Sequence, residues 1–378
     1  MVSDVEPLNA PLVGRQGGRR DLATPALVVD LDALDRNIAA MAGFAKKAKL
    51  DLRPHAKTHK CATLARKQIA AGAVGVCCAK LGEAEALADA GIANILITSP
   101  VVGVMGVERL AGLAGRCKGL MAAVDNPEAV DALIAKGARL TLVVDIDPGI
   151  HRTGVADPDA ALALARKIEQ APNLSFAGVQ FYCGSQQHIE DFAARREAIE
   201  ERTADLRDII RKLTDAGLAP GIVTGGGTGT HRIDAELGVF TELQVGSYVF
   251  MDRQYNDCDL TGAGDAPFET SLMVDARVIS ANQATMATVD AGFKAFATEA
   301  GSPTVLAGAA DGAKYYFMGD EHGCVIPPAG EAPPKLGEIV TFAAPHCDPT
   351  VNLYDAYHLV RGDTLVAIWP IEARGRSA

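Results

Sequence analysis

At 378 residues the chain exceeds one average core and calls for two domains, one of them large. With 48% hydrophobic and 22% charged residues it reads as packed and globular, not disordered. A net charge of −11 argues against nucleic acid or an anionic membrane as partner and leaves small molecules, anionic ones included.

Residues 1–6 lack a basic region followed by an apolar core, and no stretch is long and apolar enough to span a bilayer. A reduced, cytoplasmic location is the expectation. The eight cysteines are scattered without zinc-type spacing. Cys77-Cys78 lies in an apolar run and predicts a buried strand.

Residues 1–25 are expected to form an N-terminal segment. From residue 26, β-rich runs alternate with amphipathic helical stretches. The run at 26–30 leads into a helix with Leu34, Ile38, Met41 and Ala45 on one face and Asp32 as N-cap. Further strands are expected to begin near Leu50, Val74, Ala93, Leu120, Leu140, Leu174, Gly221 and Glu242. Helical patterns fill 83–90, 127–136, 157–170 and 191–216. This alternation implies parallel βαβ units. If the run at 26–30 pairs elsewhere, the rest close a (β/α)₈ TIM-type barrel ending near residue 255, close to the usual length of roughly 250 residues. A doubly wound sheet is the alternative. The segment 256–378 reads as a mostly antiparallel β domain, with strand-like runs at 271–280, 285–290, 304–307, 314–318, 338–342 and 364–369. The strand at 26–30 would fit into it.

Barrel active sites lie at the C-terminal ends of the strands, with phosphate often held after strands 7 and 8. The seventh run ends in Thr224-Gly225-Gly226-Gly227-Thr228-Gly229-Thr230 and the eighth in Gln244-Val245-Gly246-Ser247-Tyr248. Small residues there let backbone N–H groups approach an anion, with hydroxyls from Thr224, Thr228 and Ser247. One glycine run is ordinarily a flexible turn; two, at these two positions, point to a phosphate-bearing ligand.

Lys57 falls at the end of the first barrel strand, in Arg53-Pro54-His55-Ala56-Lys57-Thr58-His59-Lys60. Its basic neighbours disfavour a second positive charge and favour a neutral, nucleophilic amine. Such an amine forms a Schiff base with a carbonyl compound. The plain alternative is a basic surface turn. Lysine and phosphate cup together suggest pyridoxal 5′-phosphate, an electron sink for carbanions. Arg152 follows strand 5 and would either contact the cofactor ring or bridge to Asp145 or Asp147. Tyr182 ends strand 6, as a ring contact or a rim aromatic. His188, beyond it, is a candidate base, though such a histidine is more often an ordinary surface group. The Asp320-Glu321-His322-Gly323 cluster reads in the same way.

In Pro345-His346-Cys347-Asp348-Pro349-Thr350, an extended segment would point His346 and Asp348 the same way. Nitrogen plus a hard carboxylate oxygen suits Mn²⁺ or Mg²⁺. A His–Asp hydrogen bond in a turn closed by Pro349 is the alternative.

Together these segments resemble the fold-type III pyridoxal-phosphate enzymes, specifically the D-threonine aldolase branch of the D-serine dehydratase-like family. The resemblance runs from about residue 24 to about residue 375. It is carried by Thr24-Pro25-Ala26-Leu27-Val28-Val29-Asp30, the Lys57 segment, Val76-Cys77-Cys78, Phe176-Ala177-Gly178, Gly225–Gly229, Glu242-Leu243-Gln244, Phe250-Met251-Asp252, Asp290-Ala291-Gly292, Asp320–Gly323 and His346–Thr350. It implies an alanine-racemase-like barrel plus β domain, usually a homodimer. It makes Lys57 the Schiff-base lysine and places Thr224, Gly226, Gly227, Thr228, Gly246, Ser247 and Tyr248 about the phosphate. Arg152 and Tyr182 would contact the cofactor, His346 and Asp348 would bind a divalent metal, and His188 would be the base. Dehydratases of the family carry cysteine where Asp348 stands, so the resemblance favours an aldolase acting on D-β-hydroxy-α-amino acids. A 3-hydroxy-D-aspartate aldolase, a metal-dependent D-serine dehydratase, a racemase and a non-enzymatic pyridoxal-phosphate binder are the alternatives.

Overall fold

The computed structural model describes residues 8–378. Residues 1–7, on which the expectation about a leader falls, lie outside the described residues. By their contacts the described residues divide into two compact units. One holds 39–246, 258–267 and 375–378; the other holds the chain up to Ile38, with Ser247–Asp257 and Phe268–Arg374. The border falls after Gly246, earlier than the barrel end expected near residue 255. Phe250 O already accepts from Ser271 N, and Asp252 already accepts from Cys347 N, so this stretch is bonded to the antiparallel strands.

The first unit is the barrel. Its parallel strands are β2 (Asp51–Leu52), β3 (Val76–Cys78), β4 (Ile95–Ile97), β5 (Met121–Val124), β6 (Leu140–Ile146), β7 (Leu174–Phe181), β8 (Ile222–Gly225) and β9 (Glu242–Leu243). They form an eight-stranded sheet in the order β2-β9-β8-β7-β6-β5-β4-β3. The end strands meet as well. Val74 N donates to Leu52 O at 2.8 Å, Cys77 N to Pro54 O at 2.8 Å and Ala56 N to Cys77 O at 2.7 Å. Closure excludes the doubly wound alternative and leaves no sheet edge. The crossovers carry α2 (Ala62–Ala70), α3 (Leu81–Asp89), α4 (Val104–Ala114), α5 (Pro127–Ala135), α6 (Pro158–Glu169), α7 (Phe192–Asp215) and α8 (His231–Leu237). Asn126, Asp157 and Asp191 cap α5, α6 and α7 through their side chains. Inside, Cys77, Leu96, Met121, Ala123 and Val143 pack as one buried cluster.

The second unit is a nine-stranded mixed sheet. Strand β1 (Ala26–Asp30) lies in it, antiparallel to β10 (Leu272–Ser280) and parallel to β16 (Ala356–Arg361). Leu22, Ala26, Val28, Met273, Val360 and Leu365 bury together there, at roughly 1.5–3 kcal/mol for each large side chain. The sheet continues through β11 (Ala287–Val289), β12 (Thr304–Ala307), β13 (Lys314–Phe317), β14 (Gly323–Ile326), β15 (Ile339–Ala343) and β17 (Thr364–Pro370). Strands β14 and β16 had no sequence signal strong enough to predict them.

Two local expectations are corrected. Asp30, not Asp32, caps α1 (Leu31–Ala48): its Oδ1 accepts from Asp32 N at 3.0 Å and Ala33 N at 2.9 Å, while Asp32 bonds Arg361. After α9 (Arg253–Asn256), the segment following His346 is a short helix, α10 (Cys347–Val351), with His346 in extended conformation as its N-cap. The Asp320–His322 cluster is the ordinary surface group it resembles, a solvent turn between β13 and β14 where Lys294 meets Glu321 at 2.5 Å.

Candidate active site

Because the strands of the barrel are parallel, one rim collects their C-terminal ends. Lys57 lies there, half-buried, two residues past the His55 bridge that closes the barrel. Its Nζ stands 5.9 Å from the centroid of the Tyr182 ring, and Arg152 Cζ stands 5.6 Å from the same ring. Lys57 and Arg152, from distant segments, thus both approach the ring of Tyr182. Among the described residues Arg152 forms no salt bridge, although its charge acts on Asp145. Asp147 is bonded to His151 Nδ1 at 2.9 Å, and Asp145 accepts from Thr153 and Gln180.

The basic neighbours of Lys57 are partly neutralised by acidic partners. Arg53 is buried against Glu242, with Nε–Oε1 at 2.9 Å and Nη2–Oε2 at 3.1 Å. Lys60 is bonded to buried Glu83. Two of the four basic neighbours therefore bring no net charge to Lys57. Side-chain exposures of 7% and 4% for Arg53 and Glu242 mark a desolvated pair, in which removing one partner strands the other's charge. Glu242→Ala is expected to cost about 3–5 kcal/mol of unfolding free energy, measured by urea denaturation. A loss below about 1 kcal/mol would mean that water already screens the pair.

Below the rim runs a polar floor with no sequence signal. His55 Nε2 lies 3.1 Å from Thr98 Oγ1, and Gln180 Nε2 donates to Thr98 O and to Asp145 Oδ1, both at 2.8 Å. Gln244 Nε2 donates to Gln180 Oε1 at 3.2 Å and to Thr224 Oγ1 at 3.0 Å. Burial pushes the Asp145 carboxyl up to about 6, partly offset by the bonds from Gln180 and Thr153.

Gly226, Gly227 and Thr228 form the turn after β8, and Gly246 follows β9. At Gly246 a Cβ would meet Thr58 Oγ1 at 2.5 Å. That hydroxyl is buried and has no hydrogen-bond partner among the described residues. A cleft of backbone carbon beside an unsatisfied hydroxyl fits an oxygen-rich ligand. His188 is half-buried in the loop between β7 and α7. His231, which had no context in the sequence, braces the glycine turn: its Nδ1 lies 2.8 Å from Thr228 O, and burial lowers its pKa to about 4.

The other candidates belong to the sheet unit. Ser247 and Tyr248 open a 3₁₀ turn, where the Tyr248 ring packs on Phe268 at 5.7 Å. His346 and Asp348 are half-buried, whereas Cys347 is fully buried with its thiol turned towards Asp348. His346 Nδ1 meets Glu299 Oε1 at 2.7 Å, a carboxylate contact that orients the ring. Cys347 Sγ donates to Asp348 Oδ1 at 3.4 Å. Burial, then the Asp252 and Asp348 carboxylates, push this thiol well above its usual range. The half-buried donors of the segment are an imidazole and a carboxylate, which fit a hard divalent cation. Asp252 was missed as a contributor: its Oδ1 accepts Tyr255 N at 3.1 Å, capping α9, and its Oδ2 accepts Cys347 N at 2.8 Å, fixing the start of α10.

A closed parallel barrel with a lysine at its mouth, joined to a mixed sheet, is the architecture of the alanine-racemase-like enzymes. Residues 29–254 match the family described as alanine racemase, N-terminal domain, and 271–360 match the putative serine dehydratase domain. The chain belongs to this family. It is 39% identical to the D-threonine aldolase of Arthrobacter sp., over 94% of this chain and 93% of that protein. It is 36% identical to the 3-hydroxy-D-aspartate aldolase of Paracoccus denitrificans strain Pd 1222, with the same coverage. The crystal structure of D-threonine aldolase from Filomicrobium marinum superposes with a TM-score of 0.90 at 40% identity, covering 95% of this chain and 97% of that one.

Proposed function

We propose that the chain is a carbon–carbon lyase that cleaves D-configured β-hydroxy-α-amino acids of the D-threonine type to glycine and an aldehyde. The donor set at 346–348 carries the choice of an aldolase over a dehydratase: a half-buried imidazole and carboxylate, with the intervening cysteine fully buried. The 39% identity to a D-threonine aldolase over 94% of the chain supports the same reading.

Pyridoxal 5′-phosphate, when bound, supplies the electron sink for the carbanion left by Cα–Cβ cleavage. Lys57 would anchor it covalently. Arg152 and Tyr182 would hold its ring, and Thr224, Gly226, Gly227, Thr228, Gly246, Ser247 and Tyr248 would surround its phosphate. A divalent cation, Mn²⁺ or Mg²⁺, held by His346 and Asp348, would supply positive charge against a developing alkoxide. His188 is the proposed base, taking the β-hydroxyl proton. Among the described residues no helix is long and apolar enough to cross a membrane. We place the protein in the cytoplasm as a homodimer.

The test is glycine release from a panel of D-threonine, D-phenylserine and 3-hydroxy-D-aspartate, each with and without Mn²⁺. Glycine from D-threonine but not L-threonine is the expected result. Preference for 3-hydroxy-D-aspartate would assign the substrate of the Paracoccus relatives instead. Ammonia and an oxo acid in place of glycine would make the protein a dehydratase and overturn the proposal.

A further inference from the structure

Beneath the glycine turn sits a fully buried carboxyl with no part in the chemistry above. Asp234 lies in α8, and its Oδ2 accepts from Thr230 Oγ1 at 2.6 Å. Thr230 Oγ1 in turn accepts from Gly227 N at 3.1 Å and from Gln187 Nε2 at 3.0 Å. These three bonds use the one donor and both acceptor sites of a hydroxyl. Gln187 Oε1 accepts from Gly229 N at 3.0 Å. Two amides of the turn are thus tied through two side chains to one carboxylate.

The turn also rests on this network sterically. Gly226 has φ +67, a left-handed conformation suited to glycine, and a Cβ there would collide with Asp234 Oδ2. A Cβ at Gly227 would collide with Gln187 Oε1. Burial raises the Asp234 carboxyl to about 7, against the bonds from Thr230 and Gly227. An ionisable group is costly in such a place, and an apolar side chain would fill it at less cost. With the Gly227 and Gly229 amides turned inward, the shape of the turn is set by the groups behind it.

We infer that Asp234, acting through Thr230 and Gln187, is a positioning residue that shapes the 224–230 turn for a phosphate group and so gives the site its preference for a phosphorylated ligand. This rests on the proposal that the turn takes the cofactor's phosphate. The test titrates the full chain, stripped of cofactor, with pyridoxal 5′-phosphate and with unphosphorylated pyridoxal, following absorbance. Wild type should bind the phosphorylated form far more tightly. Asp234→Asn and Thr230→Val should each reduce that ratio by about tenfold or more, the loss of a hydrogen bond to a charged group, with pyridoxal affinity unchanged. Thr230→Ser, which keeps the hydroxyl, should retain the wild-type ratio. If Asp234→Asn does not fold, Thr230→Val and Thr230→Ser carry the comparison. An unchanged ratio in folded Asp234→Asn or Thr230→Val would overturn the inference and leave the phosphate site standing. A wild-type ratio near one would overturn the phosphate site itself, and the inference with it.

Discussion

Lys57→Ala is expected to lower kcat/KM for glycine release by roughly 10⁴-fold or more and to remove the visible absorbance of protein-bound cofactor. The size follows from a covalent role: an amine that forms and breaks a bond each turnover has no substitute in water. Lys57→Arg sharpens the test. It keeps a cation over the Tyr182 ring, where Nζ now stands 5.9 Å from the centroid, but a guanidinium does not form a Schiff base. If the role were electrostatic, Lys57→Arg would recover much of the activity; a covalent role predicts that it resembles Lys57→Ala. Lys60→Ala is the control. Lys60 is bonded to Glu83 within the barrel wall, so its loss should reduce stability while leaving the cofactor spectrum intact. An unchanged spectrum in folded Lys57→Ala would refute the assignment.

The barrel was legible because periodicity is a local property. Each expected strand start from Leu50 to Glu242 falls within two residues of an observed strand, and α6 and α7 begin just after the predicted Asp157 and Asp191. What could not be read depends on partners far apart in sequence. Arg53 finds Glu242 across 189 positions, so the run around Lys57 looks strongly basic in one dimension and is partly neutralised in three. Asp145, Gln180 and Gln244 each look like an ordinary polar residue at a strand end; only closure of the barrel joins them into a floor. The turn and helix at 346–351 misled for a different reason. Alternating exposure about Cys347 is produced equally by an extended strand and by the entry to a helix whose N-cap is extended, and the pattern alone does not separate them.

Removal of divalent metal by EDTA is expected to abolish cleavage while leaving the cofactor's absorbance in place, with Mn²⁺ restoring activity. Asp348→Ala should reproduce that state irreversibly, lowering kcat by roughly 10²- to 10⁴-fold, the value of several kcal/mol of charge stabilisation. The two treatments are separable from Lys57→Ala because the proposed ligands lie in the sheet unit and the lysine in the barrel. Asp348→Cys asks more. Cys347 is fully buried, and burial with the Asp252 and Asp348 carboxylates disfavours its thiolate. A thiol introduced at 348 would instead occupy the half-buried position beside His346, where a bound cation would deprotonate it. The softer donor should shift metal preference from Mn²⁺ towards Zn²⁺, read as relative affinity in competition titrations. Metal-independent cleavage by wild type would refute the role of both ligands. Retained Mn²⁺ preference in folded Asp348→Cys would remove Asp348 from the metal while leaving His346 in place.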